Sequence, residues 1–237
     1  MADLARLTAE EKREFLQLLE LQAYERAGTK LKHYRPYAKQ RTVHAAGKRH
    51  SERLFRAGNQ LGKTVAGAAE WAMHATGRYP DDWPGLEFKK PTILWAGSVT
   101  GESTRDNPQR LLVGPPAVES DWGTGFLPRD SILGRDRAMG VANLLDNIQV
   151  KWGGGGDIQA GTSLIAFKAY EKGREKWQGP TVDGVWFDEE PPLEIYSEGL
   201  TRTNNGQHGQ FAIITFTPLL GMSDVVMMFE TPDVERL

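Results

Sequence analysis

Apolar positions near the start of the chain recur in a helical rhythm. Leu16, Leu19 and Ala23 share one face, and Thr8 with Glu11 three places on has the form of a capping box. This predicts a helix over 3–27, ended by Gly28. Beyond it the pattern changes to short apolar runs separated by helical or turn-rich stretches. Strands are predicted at "RLFRA" (53–57), "PTILWAGSV" (91–99), "IQVKW" (148–152), "SLIAFKAY" (163–170), "DGVWFDEE" (183–190) and "QFAIITFTP" (210–218), the last stopped by Pro218. Helices are predicted over 63–76, alanine-rich and closed before Gly77, and over 193–202. The fifty uneven residues after 99 predict one or two short helices, and "GGGGD" predicts a hairpin tip. Strands alternating with helices predict an α/β fold with a mostly parallel central sheet and helices on both faces.

Composition narrows this little. With 237 residues the chain suits one large domain better than two small ones. Hydrophobic residues make up 39% and charged residues 25%, ordinary values for a globular protein. No apolar run approaches the roughly 18 residues of a membrane span, so no membrane partner is expected. The N-terminus has no signal-peptide core, which makes the cytoplasm the expected location. The lack of cysteine excludes disulfides and thiolate metal sites. The formal net charge of −2 does not advertise nucleic acid, yet the stretch 30–56 is strongly cationic while 183–198 is acidic. A local basic patch can hold phosphates on a protein of any net charge.

The chemistry concentrates at two places. "GNQLGKT" (58–64) follows a predicted strand and opens a predicted helix, the setting of a phosphate loop. Small residues let backbone N–H groups cradle phosphate oxygens, Lys63 reaches the β- and γ-phosphates, and the Thr64 hydroxyl binds Mg2+. The first glycine is displaced: Ala57 stands where the usual spacing places it, and Gly58 follows. Downstream, "VWFDEE" (185–190) is an apolar strand ending in acids. In an ATPase the first acid, Asp188, holds Mg2+, and the next, Glu189, polarises the attacking water. Glu190 competes for that second role, but stands before Pro191-Pro192, where a cap or a solvated position is expected. The strand-like 91–99 between the two motifs and the glutamate after the aspartate point to the additional-strand, catalytic-glutamate branch of P-loop NTPases. Upstream, "HYRPYAKQRTVH" (33–44) reads either as a proline turn before a core strand or as an adenine site. In the latter, Gln40 takes the N6/N7 edge and Tyr34 or Tyr37 stacks.

Taken together, "Y-x-P-Y-x-x-Q" at 34–40, "GNQLGKT" at 58–64, "VWFDEE" at 185–190 and "ITFTP" at 214–218 resemble the ATPase domain of the large terminase subunit of tailed bacteriophages, the motor of genome packaging. Ala169-Tyr170-Glu171 and "GREKWQG" (173–179) are similar as well. The resemblance covers roughly 30–225 and implies the following. Gln40 and Tyr37 contact adenine. Gly58, Asn59, Gln60, Leu61, Gly62, Lys63 and Thr64 bind ATP, with Gln60-Leu61 bracing a loop that tolerates a missing first glycine. Thr64 and Asp188 hold Mg2+, and Glu189 is the catalytic glutamate. Thr215 and Thr217 couple γ-phosphate loss to DNA movement, by bonding the lytic water or Glu189.

Many relatives carry an arginine in the loop where this chain has Asn59, so the finger is expected elsewhere. Arg56 is the candidate in cis, with Arg135, Arg137, Arg174 and Arg202 as others in cis or in trans. The implied partners are double-stranded DNA, the portal protein, the small terminase subunit and further copies in a pentameric ring. The implied location is the host cytoplasm and, transiently, the procapsid portal, outside the virion. A helical arm at 1–29 and a motor domain at 30–237 are expected, with the family's C-terminal nuclease domain absent from this chain. The competing readings are a helicase-like or DNA-repair P-loop ATPase and a non-motor nucleotide-binding module such as a kinase.

Overall fold

The computed structural model describes residues 8–28, 30–58, 60–153, 161–217 and 223–230. Its strands are β1 (Glu52–Arg56), β2 (Ile93–Ser98), β3 (Ile132–Arg137), β4 (Leu145–Trp152), β5 (Gly161–Ala169), β6 (Gly184–Asp188) and β7 (Ala212–Phe216). They form one sheet in the order β1-β7-β6-β2-β5-β4-β3. The first five strands in that order run parallel, and β4 and β3 extend the sheet antiparallel from β5.

Burial follows this division. All five positions of β6 and of β7 are buried, which is why they read as unbroken apolar runs. β4 and β5 instead alternate, because one face of the antiparallel extension is open.

Helices cover both faces. α3 (Lys63–Thr76) is buried at every position from Ala66 to Thr76. Its alanines let it sit close on the sheet, and a side chain at Gly67 would stand 2.5 Å from the Trp186 ring. Gly77 ends it in the left-handed conformation at φ 66°, its N–H closing on Met73 O at 2.8 Å. The α3 face holds Trp71, Met73, Leu94, Ile148 and Ile165. On the other face α6 (Leu193–Thr203) and α7 (Asp224–Glu230) cover Val185, Phe187, Ile214 and Phe216. α1 (Ala9–Ala27) begins with the expected box, Thr8 N–H reaching Glu11 at 2.7 Å. Leu16 and Leu19, which share one face of the helix, are 58% and 45% exposed.

The structure departs from expectation in three places. Residues 33–44 do not form a turn before a core strand: α2 (Ala38–Ala46) occupies most of them. The uneven stretch holds α4 (Gly101–Thr104) and α5 (Arg110–Val113) as expected, joined by a π turn that accommodates Pro108, but it also holds β3. The strand that separates the loop strand from the acid strand in space is β7, while 91–99 forms β2 on the far side of β6. The GGGGD tip beyond Gly153, Asn59 and Pro218 lie outside the described residues.

Candidate active site

β7 brings the two motifs together. It pairs with β1 on one side, Phe55 opposite Thr215, and with β6 on the other, Asp188 opposite Thr215. The loop that leaves β1 and the acids that end β6 therefore meet around the last residues of β7. Gly62 caps α3 at φ 75°, a conformation that strains any side chain. Lys63, although charged, is 6% exposed. Its ammonium donates to Gly58 O at 2.8 Å and to Thr217 Oγ1 at 3.0 Å. The phosphate-loop lysine and the expected coupling motif are thus in direct contact.

Asp188 is 1% exposed. Burial pushes its carboxyl up to about 7, and hydrogen bonds from the Thr215 and Thr64 hydroxyls offset only part of that. Thr215 Oγ1 lies 3.0 Å from Asp188 Oδ1, and Trp186 Nε1 donates to the same hydroxyl at 2.8 Å. An indole nitrogen only donates, so the hydroxyl accepts there and its own proton is free for Asp188. Thr215 was expected on the lytic water or on the Glu189 side chain. Its hydroxyl is instead on the aspartate, and only its backbone carbonyl meets Glu189, accepting from Glu189 N–H at 2.8 Å.

Thr64 beside a buried carboxyl, next to a loop built for phosphate, fits a divalent cation that takes its remaining ligands from phosphate and water. Among the described residues no three His, Cys, Asp or Glu side chains cluster as a metal site of their own. Glu189 is half-buried with φ 67°, a left-handed backbone that costs a non-glycine residue roughly 1–3 kcal/mol and gathers at functional sites. Glu190 is also half-buried.

On the adenine side the roles shift. Gln40, 2% exposed, accepts from Tyr37 N–H at 2.8 Å and donates to Gly62 O at 2.8 Å. Its amide therefore braces the phosphate loop, the work expected of Gln60 and Leu61. Those two are exposed, Gln60 at φ 60°. Tyr37 is 72% exposed with its ring beside Gly62. Tyr34 is withdrawn from stacking: its hydroxyl bonds His44 Nε2 at 2.9 Å and its ring packs on Phe126.

Behind the loop, sequence reading missed a buried polar cluster. Glu70 receives Arg53 NH2 at 2.7 Å, His44 Nδ1 at 2.6 Å and His74 Nε2 at 3.3 Å. Burial alone would raise the Glu70 carboxyl, but Arg53 and the two histidines hold it well below the usual range. The i, i+4 spacing of Glu70 and His74 was the only signal available, and it is common on solvated helices.

Each arginine considered as a finger is engaged by a carboxylate. Arg56 pairs with Glu230 of α7 at 2.5 Å, Arg135 and Arg137 share Glu119, and Arg174 and Arg202 share Glu198. Arg56 in particular is turned to α7, so the cis assignment requires it to leave that pair.

A family model described as terminase large subunit, T4likevirus-type, N-terminal, matches residues 54–230. The terminase large subunit of Salmonella phage P22 is 44% identical over 240 residues, covering 96% of this chain and 48% of that protein. That of Enterobacteria phage LP7 is 31% identical over 139 residues, covering 56% and 27%. The chain thus spans about half the length, or less, of these relatives. Among solved structures, the large terminase ATPase domain of Thermus phage P74-26 superposes with a TM-score of 0.50 at 17% identity, over 78% of this chain and 66% of that one. This likeness supports the same α/β architecture.

Proposed function

This chain belongs to the family of phage terminase large subunits, and from that premise we propose that it is the ATP-hydrolysing motor part of a genome-packaging machine. The observation that carries the reading is the meeting of Lys63 with Thr217, and of Thr215 with Asp188, across one strand. A nucleotide entering the loop would give Lys63 phosphate oxygens in place of Gly58 O and Thr217. Tyr37 would cover the base, and Gln40 would hold Gly62 at the edge of the cradle. Thr64 and Asp188 would hold Mg2+, whose charge offsets that on the phosphates.

Glu189 would take a proton from the water that attacks the γ-phosphorus. The new O–P bond forms as the bond to the ADP oxygen breaks, and that oxygen leaves as the β-phosphate of ADP. Release of Lys63 would then reach β7 through Thr217, and Asp188 through Thr215, which supports a coupling role for both threonines.

Double-stranded DNA is the proposed cargo, held by its backbone. Lys32, Arg35, Lys39, Lys48 and Arg49 are exposed for such contacts. The proposed partners are the portal protein, the small terminase subunit and further copies of the chain in a pentameric ring. A neighbour in that ring would supply the arginine finger. We read residues 1–29 as an arm and 30–237 as the motor domain. The place of work is the host cytoplasm and the procapsid portal. Among the described residues no helix is long and apolar enough to cross a membrane.

The test is ATP turnover with and without duplex DNA, beside Lys63→Ala. Turnover that duplex DNA stimulates and that Lys63→Ala abolishes is expected. Turnover indifferent to DNA, with transfer of phosphate to a small acceptor, would contradict the motor reading.

A further inference from the structure

Tyr170 stands directly after β5 and is 5% exposed. Its ring lies against Trp177 and Phe187, at centroid distances of 5.7 and 6.3 Å. Its hydroxyl reaches three backbone carbonyls: Glu189 O at 3.0 Å, Asp188 O at 3.1 Å and Gly97 O at 3.2 Å. A phenol has one proton to give, so the three oxygens share it.

The carbonyls of Asp188 and Glu189 lack the local donors a turn normally offers. The residues three places on are Pro191 and Pro192, and neither carries an N–H. Tyr170 brings a donor to both from another element. At the same point Glu189 holds its left-handed φ of 67°. Its N–H is fixed by Thr215 O at 2.8 Å, and its carbonyl is met by Tyr170.

We infer that Tyr170 is a positioning residue for Glu189, whose hydroxyl holds the far side of the strained peptide and so aims the carboxylate at the nucleotide. This rests on the reading of Glu189 as the base. The next residue also binds this end of the sheet: Glu171 Oε1 accepts from Gly101 N–H at 2.8 Å and Glu171 N–H donates to Val99 O at 3.0 Å. The base is therefore aimed by the tips of β2 and β5 as well as by β7.

The test compares Tyr170→Phe with Tyr79→Phe in the 237-residue chain. Tyr79 is a fair control, because its hydroxyl also serves buried partners, His74 Nδ1 and Phe88 N–H, both at 2.9 Å, beyond the other end of α3. Single-turnover ATP hydrolysis, affinity for a fluorescent ATP analogue and thermal midpoint are measured for each, and again in Glu189→Gln. The expected result is a turnover roughly 10- to 100-fold lower in Tyr170→Phe, with analogue affinity within about twofold of the parent. Tyr79→Phe should keep the parent rate whatever its thermal midpoint. Tyr170→Phe should add nothing to Glu189→Gln, because it acts through that carboxylate.

A parent-like rate in Tyr170→Phe, with Glu189→Gln inactive, would overturn the positioning role alone. So would an equal slowing in both backgrounds. Normal turnover in Glu189→Gln would remove the base assignment itself, and this role with it.

Discussion

Glu70 and Asp188 are both buried carboxylates, and their surroundings differ in kind. Glu70 sits within reach of Arg53 and two histidines, and its proton is held off well below the usual range. Asp188 has the hydroxyls of Thr215 and Thr64, and burial pushes its carboxyl up to about 7. A buried charge that the protein has paired belongs to the framework. One left with hydroxyl partners alone, beside residues 58–64, fits the cation site proposed above. Glu70 fastens α3 to α2 and β1, while Asp188, at the end of β6, meets Thr64 in the first turn of that helix.

Exchanging the charges separates the two roles. Asp188→Asn should lower ATP turnover by roughly 10²–10³-fold, the scale of a lost electrostatic partner at a reacting phosphate. Its thermal midpoint in chelator should not fall, since the change removes a costly buried charge. Glu70→Gln should do the reverse. It leaves Arg53 buried and unpaired, and calorimetry or denaturant unfolding should show a loss of about 3–5 kcal/mol. If Asp188→Asn proved the more destabilising of the two, the division would be wrong.

Acid should sharpen the contrast. The Glu70 carboxyl is depressed in the fold, so its stabilisation is complete above its ordinary value near 4.5 and is lost as pH falls through the folded value. His74, held neutral by burial, adds a loss that begins as pH drops below its ordinary 6.5. Stability of the parent should therefore fall with acid through this range, and Glu70→Gln should show a flatter profile below about pH 4.5.

Smaller effects are expected from residues that orient rather than carry charge. Gln40→Ala removes a brace on Gly62 and should weaken nucleotide binding by roughly 3- to 10-fold in a fluorescence titration, about one hydrogen bond. Trp186→Phe keeps an aromatic ring in the core but loses the donor to Thr215. It should slow turnover by only about 2- to 5-fold, less than a full hydrogen bond, because Thr215 can still reach Asp188.

Much of the architecture was legible because burial writes itself into composition. β2, β6 and β7 are enclosed on both faces, so their runs are apolar and short, and α3 begins and ends between Gly62 and Gly77. β3 was not legible: it is an edge strand with most positions exposed, and "ILGRDR" carries no alternation. α2 was hidden for a different reason. Its buried side chains are Gln40 and His44, so the face it turns inward is polar and leaves no hydrophobic period.

In the site, motif and order pointed to the loop and the acids as candidates. Their wiring did not, because Thr215 to Asp188, Gln40 to Gly62 and Tyr170 to Glu189 join residues far apart in the chain. Only the pairing of β7 between β1 and β6 reveals the first of these contacts.

The central claim is that a triphosphate lies between Lys63 and the acids ending β6. A structure of the chain with a non-hydrolysable ATP analogue and Mg2+ tests it most directly. The account predicts that Lys63 Nζ leaves Gly58 O and Thr217 for the β- and γ-phosphates, with Glu189 facing the γ-phosphate. A nucleotide bound away from residues 58–64, with Lys63 still on Gly58 and Thr217, would contradict it.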